Sequence, residues 1–279
     1  MHTASTPTRF AWPIASAVIA TLLAATAATA ADCGNTGAGF DSWLTRYKAK
    51  VSAQGISQST IAQTLSGVTY DPKIIRLDRN QKSFKLSFEQ FYARRVSSSL
   101  LNRGRRLMAT HRQTLNRIEQ RFGVPAEVLI SIWGLETNYG ADTSGRYSIV
   151  RSLATLAYDC RRSAFFLNEL TSALQIVEKG YMPASQLRGG WAGEIGQTQF
   201  LPHSYVRFAV DYDGDGRRDL IHSVPDLLAS TANFLKGHGW KAGQGWHEGT
   251  ANYAVLSDWN RASVYQRTIS VMADRLSGR

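Results

Sequence analysis

Cysteine is nearly absent: Cys33 and Cys160 are the only two in 279 residues. So sparse a set excludes a disulfide-dense scaffold, and the spacing matches no thiolate metal site. Beyond residue 30 there is no apolar run long enough to span a bilayer, so no membrane span is expected in the rest of the chain. Acidic residues are in deficit, 21 against 32 Lys and Arg, for a formal charge of +11. That balance favours an anionic partner: nucleic acid, a membrane face or a carboxylate-bearing cell-wall polymer. The basic residues are dispersed apart from pairs such as Arg94-Arg95 and Arg105-Arg106, and no RNA- or DNA-binding signature is present, so nucleic acid is not expected. General solubility with an adhesive surface accounts for the charge equally well. Internal repeats and long linkers are also missing, and strand signals are few.

What is present begins with an export signal. Residues 1–30 hold one basic residue, Arg9, no acid, and an apolar stretch ending in the small-x-small site Ala28-Thr29-Ala30. This pattern predicts a signal peptide, cleavage near Ala30 and a periplasmic mature protein of charge +10. An uncleaved anchor fits less well, because the run is weakly apolar and no basic stop follows it. In an oxidising compartment two cysteines most simply pair, tying residue 33 to the middle of the chain; two buried free thiols are the alternative. A bridge closing so long a loop is worth roughly 4–5 kcal/mol in the chain-entropy model.

The periodicity after residue 31 predicts a mainly α fold. Phe40, Trp43, Leu44, Tyr47 and Val51 form one helical stripe, and Ser57 caps a short helix to Leu65. Another segment starts at Tyr70-Asp71-Pro72, and residues 84–121 read as helix. Gly123-Val124-Pro125 stops and restarts the chain. The next helix carries Val128, Leu129, Ile132 and Trp133 on one face, with Asn138 and Gly140 as its stop. Further helices are expected at 148–159, 163–179, 225–236 and 262–277. A Gly-rich loop falls at 189–205, and a short strand near 252–256.

Glu136 follows Ile132 by four and so continues an apolar face. A carboxyl there loses hydration and faces the unpaired carbonyls of a helix C-terminus. Both effects favour the protonated form. That is the state a general acid needs near neutral pH. A structural Glu, paired with an Arg or capping a neighbour, would look the same in isolation.

The surroundings of Glu136 are more specific. E-T-N-Y-G at 136–140 is followed by W-A-G-E-I-G-Q-T-Q-F-L-P at 191–202. F-G-V-P (122–125), S-L-A-T-L-A-Y (152–158), D-Y-D-G-D-G (211–216), A-N-F-L-K-G-H-G-W (232–240), L-D-R (77–79) and W-N-R-A-S (259–263) accompany the pair. Together these motifs resemble the lytic murein transglycosylase family, of the membrane-bound lytic transglycosylase B type, over nearly the whole chain after residue 30. The resemblance implies a lysozyme-like helical fold in one domain, 31–279. Its core would lie at about 120–246, with a helical N-terminal lobe before it. It implies cleavage of peptidoglycan between N-acetylmuramic acid and N-acetylglucosamine, giving a 1,6-anhydro product, with no cofactor needed for the chemistry.

Carried over position by position, Glu136 would be the single acid/base and Gln199 a sugar contact near the scissile bond. Gly190 lies in the loop beneath the glycan, where the family often has Ser. Tyr139, Trp191 and Phe200 would stack on sugar faces. Phe234 stands where the family has an active-site Tyr, and Trp259 and Asn260 where C-terminal residues close the cleft. Glu194 is the rival second carboxylate; on a Gly-rich turn it reads as a solvent-facing salt-bridge partner. Two other functions remain as alternatives, a hydrolytic muramidase and a noncatalytic peptidoglycan-binding protein.

The acidic loop follows the first half of an EF-hand. Asp211, Asp213, Asp215 and Gly216 fall at positions 1, 3, 5 and 6, and Arg217 would offer its carbonyl at position 7. Position 12 is His222 rather than Glu. The resemblance places the last acid later, at Asp226. A structural Ca2+ is one expectation; an acidic turn balanced by Arg217 and Arg218 is the other.

Overall fold

Seven of the thirteen α-helices among the described residues begin where a short polar side chain precedes an apolar periodic stretch. Ser57, Asp71, Ser87, Ser97, Ser148, Ser223 and Thr250 each accept a hydrogen bond from a first-turn amide. Such a cap contributes about 1 kcal/mol. The computed structural model describes Met1 and residues 33–80, 86–143 and 145–278. The expected signal peptide lies outside the described residues, Met1 apart. Residues 32–279 cluster as one unit.

The helices in order are α1 (Phe40–Ala53), α2 (Gln58–Leu65), α3 (Pro72–Arg79), α4 (Phe88–Arg95), α5 (Ser98–Thr110), α6 (Arg112–Phe122) and α7 (Ala126–Thr137). They continue with α8 (Ile149–Tyr158), α9 (Ser163–Glu178), α10 (Pro202–Phe208), α11 (Val224–Gly237), α12 (Ala251–Trp259) and α13 (Ser263–Ser277). The strands among the described residues are β1 (Tyr147–Ser148) and β2 (Arg188–Gly189), antiparallel, with Tyr147 opposite Gly189. The mainly α expectation holds. The strand expected near 252–256 is helical instead. Thr250 caps it, and Asn252, Val255 and Leu256 are buried at helical spacing. The segment 84–121 forms α4, α5 and α6, separated at Val96-Ser97 and at His111.

α7 is the centre of the fold. The sequence pattern marks one apolar face, but Ile130, Ser131, Gly134 and Leu135 are buried as well, under α5, α6, α11 and α13. A helix that is apolar all round finds its minimum inside a ring of others. α8 and α9 form an adjoining antiparallel pair, and α1 docks on α8 through Phe40, Trp43, Tyr47 and Tyr158. Trp43 and Tyr47 stack at 5.5 Å.

Cys33 and Cys160 are joined in a disulfide, and Gly34 N–H donates to Tyr158 O at 2.8 Å beside it. Next to this bridge is a buried charge network. Asp78 of α3 accepts from Arg79 Nη1 at 2.9 Å, from Arg161 Nε at 2.8 Å, and from Arg162 Nη2; Arg79 Nη2 also reaches Asp159 at 2.8 Å. The L-D-R motif therefore locks α3 to the α8–α9 corner.

Candidate active site

The end of α7 explains the E-T-N-Y-G motif. Asn138, Tyr139 and Gly140 all take left-handed backbone angles, with φ of 48°, 56° and 81°. Two consecutive non-glycine residues there cost energy that the surroundings must repay. The repayment comes largely through Gln197. Thr137 Oγ1 donates to Gln197 O at 2.6 Å and accepts from Gly140 N at 3.0 Å. Gln197 Oε1 accepts from Trp133 Nε1 at 2.8 Å, and its Nε2 donates to Ile221 O at 2.7 Å. A Cβ on residue 140 would lie 2.2 Å from Gln197 Oε1, so close approach as well as φ requires glycine. The two most specific motifs are thus hydrogen-bonded to each other.

This brace holds Glu136 at the edge of a cavity of about 380 Å³. Trp259 Nε1 donates to Glu136 Oε1 at 2.9 Å, and Tyr265 O–H donates to the same oxygen at 2.8 Å. Both bonds fall on Oε1, which leaves Oε2 as the oxygen available to a bound molecule. Burial pushes the Glu136 carboxyl above its ordinary range. The bonds from Trp259 and Tyr265 and the charge of Arg95 pull the other way, and Glu194 adds to the rise. The net direction is up, so the group holds its proton to higher pH than a surface Glu. Arg95, at the end of α4, also donates to Leu135 O, which satisfies a terminal carbonyl of α7.

Glu136, Trp191, Gln199, Phe200, Phe234, Trp259 and Asn260 all line this cavity. Seven of the nine expected contact or acid positions therefore meet. Gly190 borders an adjoining hollow that shares Gln199. Tyr139 does not join them. It is buried, edge-on to Trp133, and its O–H donates to Leu100 O at 3.1 Å, so it packs the base of α7 rather than facing the cavity. Phe200, Phe234 and Trp259 pack edge-to-face at 5.1–5.9 Å, forming an apolar wall. Gln199 has a positive φ of 55° and donates to Gly196 O at 2.7 Å. Asn260 Oδ1 accepts from Ala262 N, fixing the turn into α13.

Three participants escape a reading of the sequence. Tyr265 sits in the first turns of α13, where a buried Tyr on an amphipathic helix reads as core; its place six residues after Trp259 is the one clue. Arg95 reads as half of a surface basic pair, Arg94-Arg95. Glu194 reads as a surface ion pair, yet it lines the cavity beside Glu136 and has no ion-pair partner among the described residues. Burial pushes its carboxyl up, against its own amide and that of Ala192.

The acidic loop precedes α11. Asp211, Asp213 and Asp226 bring carboxylate oxygens within 4.8 Å of one another. Asp215 and Arg217 fall outside this group: Asp215 Oδ1 accepts from Arg217 N at 2.8 Å. Asp211 accepts from Gly214 N and Gly216 N, and buried Asp226 accepts from Tyr212, Asp213 and Asp219 amides. The loop's amides are thus turned inward onto its own acids. The loop backs onto the site through Ile221, whose carbonyl receives Gln197.

Known proteins share the fold. The model of the transglycosylase SLT domain matches residues 39–251. Over 134 residues the chain is 39% identical to the membrane-bound lytic murein transglycosylase B of Escherichia coli (strain K12), a stretch covering 48% of this chain and 37% of that protein. The match thus spans little more than a third of the curated relative. SltB3 from Pseudomonas aeruginosa, solved in complex with NAG-NAM-pentapeptide, superposes with a TM-score of 0.80 at 30% identity, covering 88% of this chain and 81% of that one. The Escherichia coli lytic transglycosylase Slt35, solved in complex with calcium, shares the fold at a TM-score of 0.73 and 23% identity, over 84% and 92% of the two chains. The extent of the domain match, joined to this helical fold, shows that the chain belongs to the transglycosylase SLT-domain family of lytic murein transglycosylases, of the membrane-bound lytic transglycosylase B type.

Proposed function

We propose that this chain is a periplasmic lytic transglycosylase that cleaves the β-1,4 bond between N-acetylmuramic acid and N-acetylglucosamine in peptidoglycan. The observation that carries the reading is Glu136: a carboxyl whose burial raises its proton affinity, bonded twice through Oε1, with Oε2 left for a ligand in the cavity. The substrate class is supported by SltB3, which was solved with NAG-NAM-pentapeptide. The exported location is supported by the disulfide and by the lack, among the described residues, of a helix long and apolar enough to cross a membrane.

Glu136 gives its proton to the glycosidic oxygen, and the C1–oxygen bond breaks. The substrate's N-acetyl group assists at the cationic carbon. Glu136, now ionised and steadied by Trp259 and Tyr265, takes the proton of the C6 hydroxyl as that oxygen bonds to C1. The nucleophile is tethered to the reacting ring, so its effective concentration is high and no water is consumed. Gln199, Trp191 and Asn260 contact sugar, with Gly190 beneath the strand and Phe200, Phe234 and Trp259 as the apolar wall. Mass spectrometry of muropeptides released from purified sacculi tests this. Anhydro-muramyl ends are expected; hydrated reducing ends overturn it in favour of a hydrolase.

Tyr265→Phe tests the support of Glu136. One of two bonds to Oε1 is lost, and a hydrogen bond to a charged group is worth about 1.5–3 kcal/mol. That bond holds the Glu136 pKa down, so its loss moves the alkaline limb of the kcat/KM profile to higher pH while kcat falls.

The acidic loop fits a structural cation. Oxygens within 4.8 Å of one another can share an ion at bond lengths of about 2.4 Å, and Asp211, Asp213 and Asp226 would hold Ca2+ there. Its contribution would be to offset most of the negative charge of the three carboxylates and fix the turn into α11. A chelator-stripped sample is expected to melt at higher temperature after millimolar Ca2+ is restored, and Asp213→Asn to lose most of that shift. No shift would leave the loop as a self-bonded acidic turn.

A further inference from the structure

Glu136, Glu194 and Asp258 are the carboxyl groups along the cavity. Asp258 is exposed, whereas Glu194 is partly buried and held in place. Its loop is a tight double turn: Gly190 N–H donates to Glu194 O at 2.9 Å, and Ile195 and Phe200 exchange bonds at 2.7 and 3.0 Å. Glu194 Oε2 accepts one hydrogen bond, from Ala192 N at 3.0 Å. A Cβ on residue 190 would stand 2.1 Å from that oxygen and 2.8 Å from the carboxyl carbon. The carboxylate thus occupies the room that any side chain at 190 would take, and it can do so only because residue 190 is glycine. A partly buried carboxylate held by amides alone, with no ion-pair partner among the described residues, is costly, and a packing role does not repay the cost.

We propose that Glu194 is the second carboxylate of this active site, its charge on the cavity wall stabilising the positive charge that develops at C1 of the muramic acid ring. This rests on the transglycosylase reading above. Glu194 forms no bond. The Glu136 proton goes to the leaving oxygen, and the C1–oxygen pair leaves with it. The C6 oxygen then bonds to C1, its proton passes to Glu136, and Glu194 ends as it began. Two neighbouring carboxyls with different surroundings divide acid and anion roles between them. Glu194 also acts on Glu136 directly, since its charge opposes ionisation of the acid. The other charged or titratable groups around the pair are Arg95 from α4, Tyr265 from α13, Asp258 from α12 and Arg162 at the start of α9. Arg94 and Asp142 lie in the hollow on the far side of Glu136.

The test compares wild type, Glu194→Gln, Gly190→Ala and Glu136→Gln by release of anhydro-muropeptides. It adds the carboxyl 13C titration of Glu136 in labelled protein. Glu194→Gln keeps an acceptor for Ala192 and removes only the charge. We expect kcat to fall roughly 100- to 1,000-fold, the range for removing one preorganised charge-stabilising group, with KM little changed. The Glu136 midpoint is expected to move to lower pH. Gly190→Ala, which displaces the carboxylate without altering it, is expected to reproduce the loss of kcat. Should Gly190→Ala fail to fold, Glu194→Gln decides alone, with its melting temperature as the control. Wild-type kcat in Glu194→Gln, or an unmoved Glu136 midpoint, overturns the inference. Activity lost in Glu136→Gln but kept in Glu194→Gln overturns this inference only; no anhydro product from the wild type overturns the transglycosylase reading with it.

Discussion

Glu136→Gln is expected to abolish glycan cleavage and, at neutral pH, to raise the melting temperature. The loss follows from the role: an amide has no proton to give to the leaving oxygen, and removing general acid–base catalysis costs about 10²- to 10⁴-fold. The gain follows from the same burial. The folded-state pKa of Glu136 lies above its unfolded value. Its contribution to stability is therefore full below the unfolded pKa and is lost as pH rises through the folded one. At neutral pH the wild type bears the cost of a partly desolvated anion. Gln bears none, and its Oε1 keeps the bonds from Trp259 and Tyr265. Thermal melts of both proteins from pH 4 to 8 check this: the curves should meet at low pH and separate as pH rises, with the variant higher. A variant that is inactive but less stable at every pH would mean the Glu136 carboxylate is a structural anchor. The exchange of stability for activity is expected where a fold keeps a charge in an unfavourable place.

Asp78→Asn is expected to do the reverse, lowering stability with no direct effect on the chemistry. Asp78 is only 2% exposed, and three guanidiniums converge on it. Burial works against its charge, but hydrogen bonds from Arg161 and Arg162 outweigh it and hold the carboxyl below the ordinary range. Breaking a buried pair costs about 3–5 kcal/mol. Here the arginines keep around 40% exposure, so water screens part of the loss and about 2–4 kcal/mol is expected. Urea unfolding at pH 7 measures it. The sign with pH is fixed by the depressed pKa: the contribution is present above the unfolded pKa and is lost as pH falls through the folded one. Wild type and variant should therefore converge in acid, the same end at which the Glu136 pair converges but with the wild type the more stable partner above it. A variant as stable as wild type at pH 7 would mean that Arg79, Arg161 and Arg162 are held by Asp159 and solvent alone.

These two carboxylates show how far the chain can be read without its fold. Both are single acids next to apolar residues, L-D-R and G-L-E. The motif company of Glu136 marked it as an acid; nothing local said that Asp78 would be gripped by arginines more than eighty residues away. Helix identity was largely legible, because N-caps and apolar spacing act within a few residues. The exception is informative. Residues 252–256 carry Tyr, Val and Leu that suit a strand, but Thr250 and the burial of Val255 and Leu256 against neighbouring helices select α12. The pairing of two cysteines was legible because only one bridge is possible.

Long-range proximity separates the rest. The sequence by itself determined a helical chain, a carboxyl on the apolar face of α7, the helix stop that follows it, and the Gly-rich loop at 189–205. Only the tertiary structure decided which oxygen of Glu136 is free, because Trp259 and Tyr265 reach it across more than 120 residues. Only packing turned Tyr139 inward to Leu100 and placed Glu194 in the cavity with no ion-pair partner among the described residues. Helix caps and turns are written within a few residues. A carboxylate's proton affinity is set by every charge and dipole within several ångströms, and in a folded chain most of those come from distant sequence.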